Sequence, residues 1–247
     1  MTTPDPATGR YLVDWTPVRH SATFRNHSVD FRICPGTKLG RATVAQALRD
    51  AVDRLRAVEA AFSRDVTEAE LRAAITAAVM AGSRRVRDAT GGYFDPWAMP
   101  GGFDPAGLLT GWALERAATA LTDAGLTDFA LSASDELLVR GTAEDGKPWR
   151  VGIRHPSGGI SLAVTDTAIS TSTGAVIDPH TQTPARHWDA VTVLGPDLGI
   201  ADAYATALRA AGPAGLAWFP TADGYRTVLL TAPRPTDEPT LDLASAA

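Results

Sequence analysis

The chain has 247 residues, 45% of them apolar and 21% charged, with a formal net charge of −5. That composition fits one large or two small globular units with a sizeable core, and it excludes a disordered or fibrous chain. The mild acidity argues against a protein that grips nucleic acid or an anionic membrane through bulk charge.

Cys34 is the sole cysteine, which excludes an intrachain disulfide and a cysteine-based zinc site. The opening stretch carries Asp5, Arg10, Asp14, Arg19 and Arg25 with no apolar run. No leader, anchor or spanning helix is expected there, and a cytoplasmic location is the expectation. Only Lys38 and Lys147 among the 23 basic residues are lysines, a bias that reads as genome composition.

In chain order, residues 1–20 scatter Pro, Thr and Asp and are expected to form an irregular arm. Residues 28–34 alternate apolar and polar, which predicts a half-buried strand ending at Pro35-Gly36. From 43 to 62, Val44, Leu48, Val52, Leu55, Val58 and Phe62 recur three or four apart, the stripe of an amphipathic helix. A second helix is predicted from Thr67, where Thr67 and Glu70 have the spacing of a capping box, with its stripe running through Leu71, Ile75, Val79 and Val86. Residues 89–107 interleave glycines, prolines and aromatics and cannot continue a helix. A third helix is predicted over 108–124, with Gly125 as its stop.

The period then changes. Strands are predicted at 129–139, 149–154, 160–164, 167–171, 190–194, 216–219 and 227–231, with hairpin turns at 144–146 and 156–159. One helix, 200–211, interrupts them and stops at Gly212-Pro213. After Ala232 the chain is Pro-rich and acidic and reads as a mobile tail, 232–247. Helices followed by an antiparallel meander make an α+β fold, with N-terminal helices packed on a largely antiparallel sheet.

No motif of a serine hydrolase, zinc peptidase, P-loop or dinucleotide fold is present, and the five histidines are scattered. Three segments carry candidate chemistry. In the 89–107 loop the glycines let backbone amides approach a ligand. Tyr93 and Phe94 offer planar rings there, and Asp95 and Asp104 offer acceptors for a ribose or base; a tight connection with buried aromatics would read the same way. Asp202 and Thr206 stand four apart on the predicted helix, so their oxygens share a face and could give two ligands to Mg²⁺. The helix dipole alone also favours an early acid, and the threonine could bond backward along the helix. The run Ile169-Ser-Thr-Ser-Thr-Gly-Ala-Val-Ile-Asp-Pro179 could line a phosphate or ribose site, or simply be a strand running into an Asp-Pro turn.

Taken in order, these segments resemble the ApbE family of flavin transferases. Thr90-Gly-Gly-Tyr-Phe-Asp-Pro96 is similar to the family's T-G-x-F-D-P, and Asp104-Pro-Ala-Gly-Leu-Leu-Thr-Gly-Trp-Ala-Leu-Glu115 to its D-[LP]-x-[GA]-[IL]-[AL]-K-G-x-[AV]-x-[DE]. Ser132-Ala-Ser-Asp-Glu136 stands where the family has N-A-G-G-D, and Trp149-Arg-Val-Gly-Ile-Arg-His-Pro156 resembles W-x-V-G-I-x-x-P. Ile169-Ser-Thr-Ser and Val176-Ile-Asp-Pro-His-Thr181 resemble A-T-S-G and H-I-I-D-P-R-T-G. Val191-Thr-Val and Ala201-Asp-Ala-Tyr-Ala-Thr-Ala-Leu208 resemble V-T-V and A-D-A-x-[AS]-T-A-L.

The resemblance implies a T-fold-like architecture in a single domain over 21–231. It also implies Mg²⁺-dependent transfer of FMN from FAD to a Thr or Ser hydroxyl of an acceptor protein, with release of AMP. Neither nucleic acid nor membrane is an implied partner. Tyr93, Phe94, Asp95, Asp104, Thr110 and Val176 would stand against FAD; Gly107, through its carbonyl, with Asp202 and Thr206 would hold Mg²⁺. Thr110 occupies the motif's lysine position and Ala175 its histidine position. Those replacements leave open a relative that binds a flavin nucleotide or a partner without turnover.

Overall fold

The structure, a computed structural model, describes residues 18–34, 39–62, 69–99, 101–143, 146–155 and 158–230. Its strands are β1 (Val18–Phe24), β2 (His27–Ile33), β3 (Phe129–Ala133), β4 (Glu136–Arg140), β5 (Trp149–His155), β6 (Gly158–Val164), β7 (Thr167–Ser172), β8 (Val176–Asp178), β9 (Thr183–Ala185), β10 (Ala190–Gly195) and β11 (Arg226–Leu230). Its helices are α1 (Arg41–Ala61), α2 (Ala69–Ala89), α3 (Ala106–Asp123) and α4 (Leu198–Ala211). The main sheet runs β1-β2-β3-β4-β7-β10-β11, every neighbouring pair antiparallel. The β5–β6 hairpin is inserted between β4 and β7, and β8–β9 forms a second small hairpin. The predicted α+β class, helices on a largely antiparallel sheet, is the observed one.

Strand period divides the main sheet into two faces. Phe129, Leu131, Ala133 and Leu138 join Phe31 and Val193 in the core against Leu55, Leu108, Leu114 and Leu121 of the helices. Ala130 and Val139 point the other way and pack with Cys34 and Trp149, so the β5–β6 hairpin covers the opposite face locally. On β4 the same alternation turns Glu136, Leu138 and Arg140 toward the helices.

The predicted stripe of α1 is buried from Val44 through Val58, and Ile75, Val79 and Val86 are buried on α2. The Thr67 cap lies outside the described residues. Helix α3 ends as the Gly125 signal predicts: Gly125 has φ 87°, its N–H donates to Thr122 O, and Leu126 N–H donates to Leu121 O.

Four expectations need correction. Residues 18–20, assigned to the irregular arm, begin β1, which pairs with β2 across Arg25-Asn26, both at positive φ. Its side chains are mostly exposed, so it carries little apolar signal. The single strand predicted at 129–139 is two, β3 and β4, folded over Ser134-Asp135 with Ser134 at φ 50°. Residues 216–219 are not a strand: Gly212–Ala217 forms a 3₁₀ helix. That turn is closed locally, with Trp218 N–H donating to Gly215 O at 3.3 Å. Finally, β8 and β9, three residues each, carry too few residues to show alternation. Of the predicted turns, residues 144–145 and 156–157 lie outside the described residues. Among the described residues no helix is long and apolar enough to cross a membrane.

Candidate functional site

Helices α3 and α4 approach each other unusually closely. A Cβ on Gly111 would stand 2.7 Å from Leu198 O and 2.8 Å from Gly199 N, and one on Gly199 would stand 3.0 Å from Trp112 N. Only glycine on both sides permits this backbone contact. Toward the other end of the same crossing, Gly107 faces Thr206: a Cβ at Gly107 would stand 3.0 Å from Thr206 Oγ1. Gly107 also breaks the first turn of α3, with ψ 23°, which takes its carbonyl out of the regular helical orientation. Asp104 Oδ1 accepts from Ala106 N at 3.0 Å and so secures the start of α3. Asp197 caps α4 by accepting from Ile200 N at 2.9 Å. Glu115 ties the two helices to the sheet: it pairs with Arg140 at 3.1 Å and accepts from Leu198 N at 3.0 Å. Burial pushes the Glu115 carboxyl up, and the Arg140 charge draws it part of the way back.

The 89–107 loop is built on Thr90, whose hydroxyl donates to Val86 O at 2.8 Å and accepts from Phe94 N at 3.1 Å. Asp95 ties the loop back to α2, taking Arg87 Nε at 2.8 Å and Trp97 N at 2.9 Å. Phe94 is buried, while Tyr93 is half-buried, edge-on to His180 with ring centres 4.6 Å apart.

Loop, α3, α4 and the segment after β7 enclose a cleft of about 320 Å³. Seven of the nine predicted site residues line it: Tyr93, Phe94, Asp95, Asp104, Gly107, Val176 and Thr206. Ser172, Thr173 and Ala175 supply the facing wall, and among the described residues no Lys, Arg or His lines the cleft. Thr110, half-buried one turn along α3 from Gly107, is not among the lining residues. Asp202 is also absent from the lining and is buried beneath it, one turn before Thr206 on α4. A separate hollow of about 480 Å³, lined by Arg19, Trp149 and Arg150 among others, takes in none of the predicted residues.

Asp202 Oδ1 accepts from Ser170 Oγ at 3.2 Å, and its Oδ2 has no hydrogen-bond partner. The Glu136 carboxyl meets Asp202, and Glu136 Oε2 likewise has no partner. Burial pushes both carboxyls above the usual carboxylate range. The Asp202 charge raises Glu136 further, and the Ser170 hydroxyl draws Asp202 part of the way down.

Arg209 is a second group the motifs did not single out. It is buried one turn past Ala205, and its guanidinium donates to the carbonyls of Ser172, Gly174 and Asp189. It thereby fixes the wall segment after β7. Its only sequence signal was a second charge, beside Asp202, on a largely apolar helix. The role of Glu136 depends on β4–β7 register, which no local pattern encodes.

The fold is similar to that of a flavin transferase ApbE from Vibrio cholerae. That structure superimposes with a TM-score of 0.76 over 89% of this chain and 94% of its own, at 18% identity. The ApbE family model matches residues 101–229, and the chain belongs to that family. Two curated relatives are each called FAD:protein FMN transferase. The Rhodobacter capsulatus protein is 34% identical over 137 residues, which is 48% of this chain and 26% of the relative. The Klebsiella pneumoniae protein is 32% identical over 122 residues, or 42% and 35%. The matched segments thus span about a quarter to a third of those relatives' lengths.

Proposed function

We propose that this protein is an FAD:protein FMN transferase, which moves FMN from FAD to a Thr or Ser hydroxyl of an acceptor protein and releases AMP. One observation carries the reading: seven residues from three separate motif segments converge on a single cleft, above a buried acid. The names of the curated relatives support it.

In the transfer, the acceptor oxygen bonds to the FMN-side phosphorus as the bond from that phosphorus to the bridging oxygen breaks. AMP leaves with that oxygen and its electron pair, and the hydroxyl proton passes to water. Tyr93 offers a ring face to a planar heterocycle at the mouth of the cleft, and Phe94 forms its apolar floor. Asp95 and Asp104 already hold the loop and the start of α3, and their remaining lone pairs can accept from ribose or base. Val176, beside Ala175 on the facing wall, presents backbone to the flavin.

The chain's own donors fit a hard divalent cation. Asp202 Oδ2 is a buried oxygen lacking a partner, and the Gly107 backbone lies against the Thr206 hydroxyl. Gly107, Asp202 and Thr206 would hold Mg²⁺, whose charge offsets that of the pyrophosphate and stabilises the leaving AMP.

The lack of Lys, Arg or His among the described lining residues favours a second reading, in which the protein binds a flavin nucleotide or a partner without turnover. Thr110 and Ala175 are the residues concerned. The test is a fluorescence titration with FAD, with and without Mg²⁺, followed by assay of AMP release and covalent flavin on candidate acceptor proteins. The transferase reading expects Mg²⁺ to tighten FAD binding in the native protein and not in Asp202→Ala, and AMP to appear with a suitable acceptor. FAD binding without AMP release, together with activity gained in Thr110→Lys/Ala175→His, is the result that selects the second reading. No FAD binding under any condition refutes the transferase reading and the flavin-binding form of the second.

A further inference from the structure

The reading above assigns one carboxylate to the cation, yet two meet beneath the cleft. Glu136 begins β4 on its helix-facing side, and its register partner across the β4–β7 pairing is Ser170. Residues opposite each other on neighbouring strands project from the same face. Glu136 and Ser170 therefore rise together toward α4, where Ser170 Oγ reaches Asp202 Oδ1 at 3.2 Å. Glu136 and Asp202 are 9% and 7% exposed, and each keeps one oxygen without a hydrogen-bond partner, Glu136 Oε2 and Asp202 Oδ2.

Among the described residues, no ion pair joins Glu136 or Asp202 to a basic side chain. The ion pair that brings helix to sheet nearby is that of Glu115 with Arg140, and buried Arg209 is bound to backbone carbonyls. Asp135, at the turn before β4, adds a further negative charge that acts on both carboxyls. Two acids facing each other in an interior need either a shared proton or a cation between them. Two hydroxyls stand by them: that of Ser170 directly, and that of Thr206 one turn along the same helix face. Among the described residues no three His, Cys, Asp or Glu side chains converge. A cation here would be bound by two carboxylates and neutral oxygens, a donor set suited to Mg²⁺ or Mn²⁺ and unsuited to soft metals.

We propose that Glu136 is a second carboxylate ligand, which together with Asp202 holds one divalent cation beneath the cleft before any nucleotide binds. This rests on the reading that Asp202 faces the cation. It adds that the pair is itself a metal site and that Glu136 tunes its affinity.

The test is calorimetric titration of the metal-free full-length protein with MnCl₂ alone, in the native chain and in Glu136→Gln, Glu136→Asp and Asp202→Asn. Circular dichroism of each variant serves as the folding control. The melting temperature with and without Mn²⁺ is a second readout. The native protein is expected to bind one Mn²⁺ per chain and to melt higher when loaded. Glu136→Gln and Asp202→Asn should each weaken binding by at least about tenfold, the scale on which even supporting residues of metal sites act. Glu136→Asp, which keeps the charge but shortens the reach, should fall between, and it carries the test should the Gln variant not fold. Mn²⁺ binding unchanged in Glu136→Gln but lost in Asp202→Asn overturns the proposal and leaves the Asp202 assignment standing. No Mn²⁺ binding by the native chain without nucleotide also overturns it, while the FAD titration still decides the transferase reading on its own.

Discussion

Gly111→Ala is the sharpest probe of the crossing that assembles the cleft. The added methyl would meet Leu198 O at 2.7 Å and Gly199 N at 2.8 Å, about 0.7 Å inside the 3.4 Å at which ordinary contacts begin. Both obstacles are backbone, so no side-chain rotation relieves them and the two helices must part. Overpacking of this kind costs about 1–3 kcal/mol, and backbone obstacles put it at the upper end. Replacing a helical glycine by alanine returns roughly 0.5–1 kcal/mol through lower chain entropy and better helix propensity. The net is a loss of about 2 kcal/mol, or a fall of roughly 4–8 °C in melting temperature for a chain of this size. Gly82 on α2 is the matched control, because a Cβ there meets only Leu108 Cδ1 at 3.6 Å. Gly82→Ala should keep the propensity gain without the clash and melt about 1–4 °C higher than the native chain. Thermal unfolding by circular dichroism measures both. If Gly111→Ala melts at or above the native protein, α3 and α4 do not cross at backbone contact and the account of how Gly107 meets Thr206 fails.

Two further outcomes follow from the buried charges. Folding raises both the Glu136 and Asp202 carboxyls, chiefly by burial. The folded chain therefore holds those protons more tightly than the unfolded chain does. The associated stability is complete below the ordinary carboxylate range and is lost as pH rises through the folded values. Melting curves of the metal-free protein should move to lower temperature as pH is raised from about 5 to about 9. The decline should be shallower in Glu136→Gln, and an equal slope in both proteins would contradict the assignment. Arg209→Ala strands the carbonyls of Ser172, Gly174 and Asp189 and should destabilise the chain by about 3 kcal/mol in urea unfolding. Arg209→Lys, which keeps the charge but not the planar fork, should recover only part of that, and full recovery would mean charge alone fixes the wall.

Much of the architecture is local chemistry and was legible along the chain. The stripes of α1 and α2, the Gly125 stop of α3 and the alternation of β2 follow from periodicity and backbone preference, which act over a few residues at a time. The three segments with candidate chemistry were equally visible, because Gly-rich and hydroxyl-rich runs stand out against an apolar background. What reads poorly depends on partners far away in sequence. Strand β1 is mostly polar and exists because β2 offers it an edge. The run 216–219 looks like a strand and is not, since the chain leaving α4 closes on itself in a 3₁₀ turn.

The site divides in the same way. Composition and spacing determined that Asp202 and Thr206 share a helix face and that the 89–107 loop carries rings beside glycines. Tertiary structure alone decided that Thr206 looks into the cleft while Asp202 lies beneath it, and that Thr110 stays outside its lining. Tertiary structure also placed Glu136 and Ser170, 34 positions apart by their numbers, in register across the β4–β7 pairing and beneath α4. Local propensity acts on neighbours in the chain, whereas burial and charge act on neighbours in space. Only the β4–β7 register and the glycine-to-glycine crossing of α3 and α4 bring the two acids and the Gly107–Thr206 pair together.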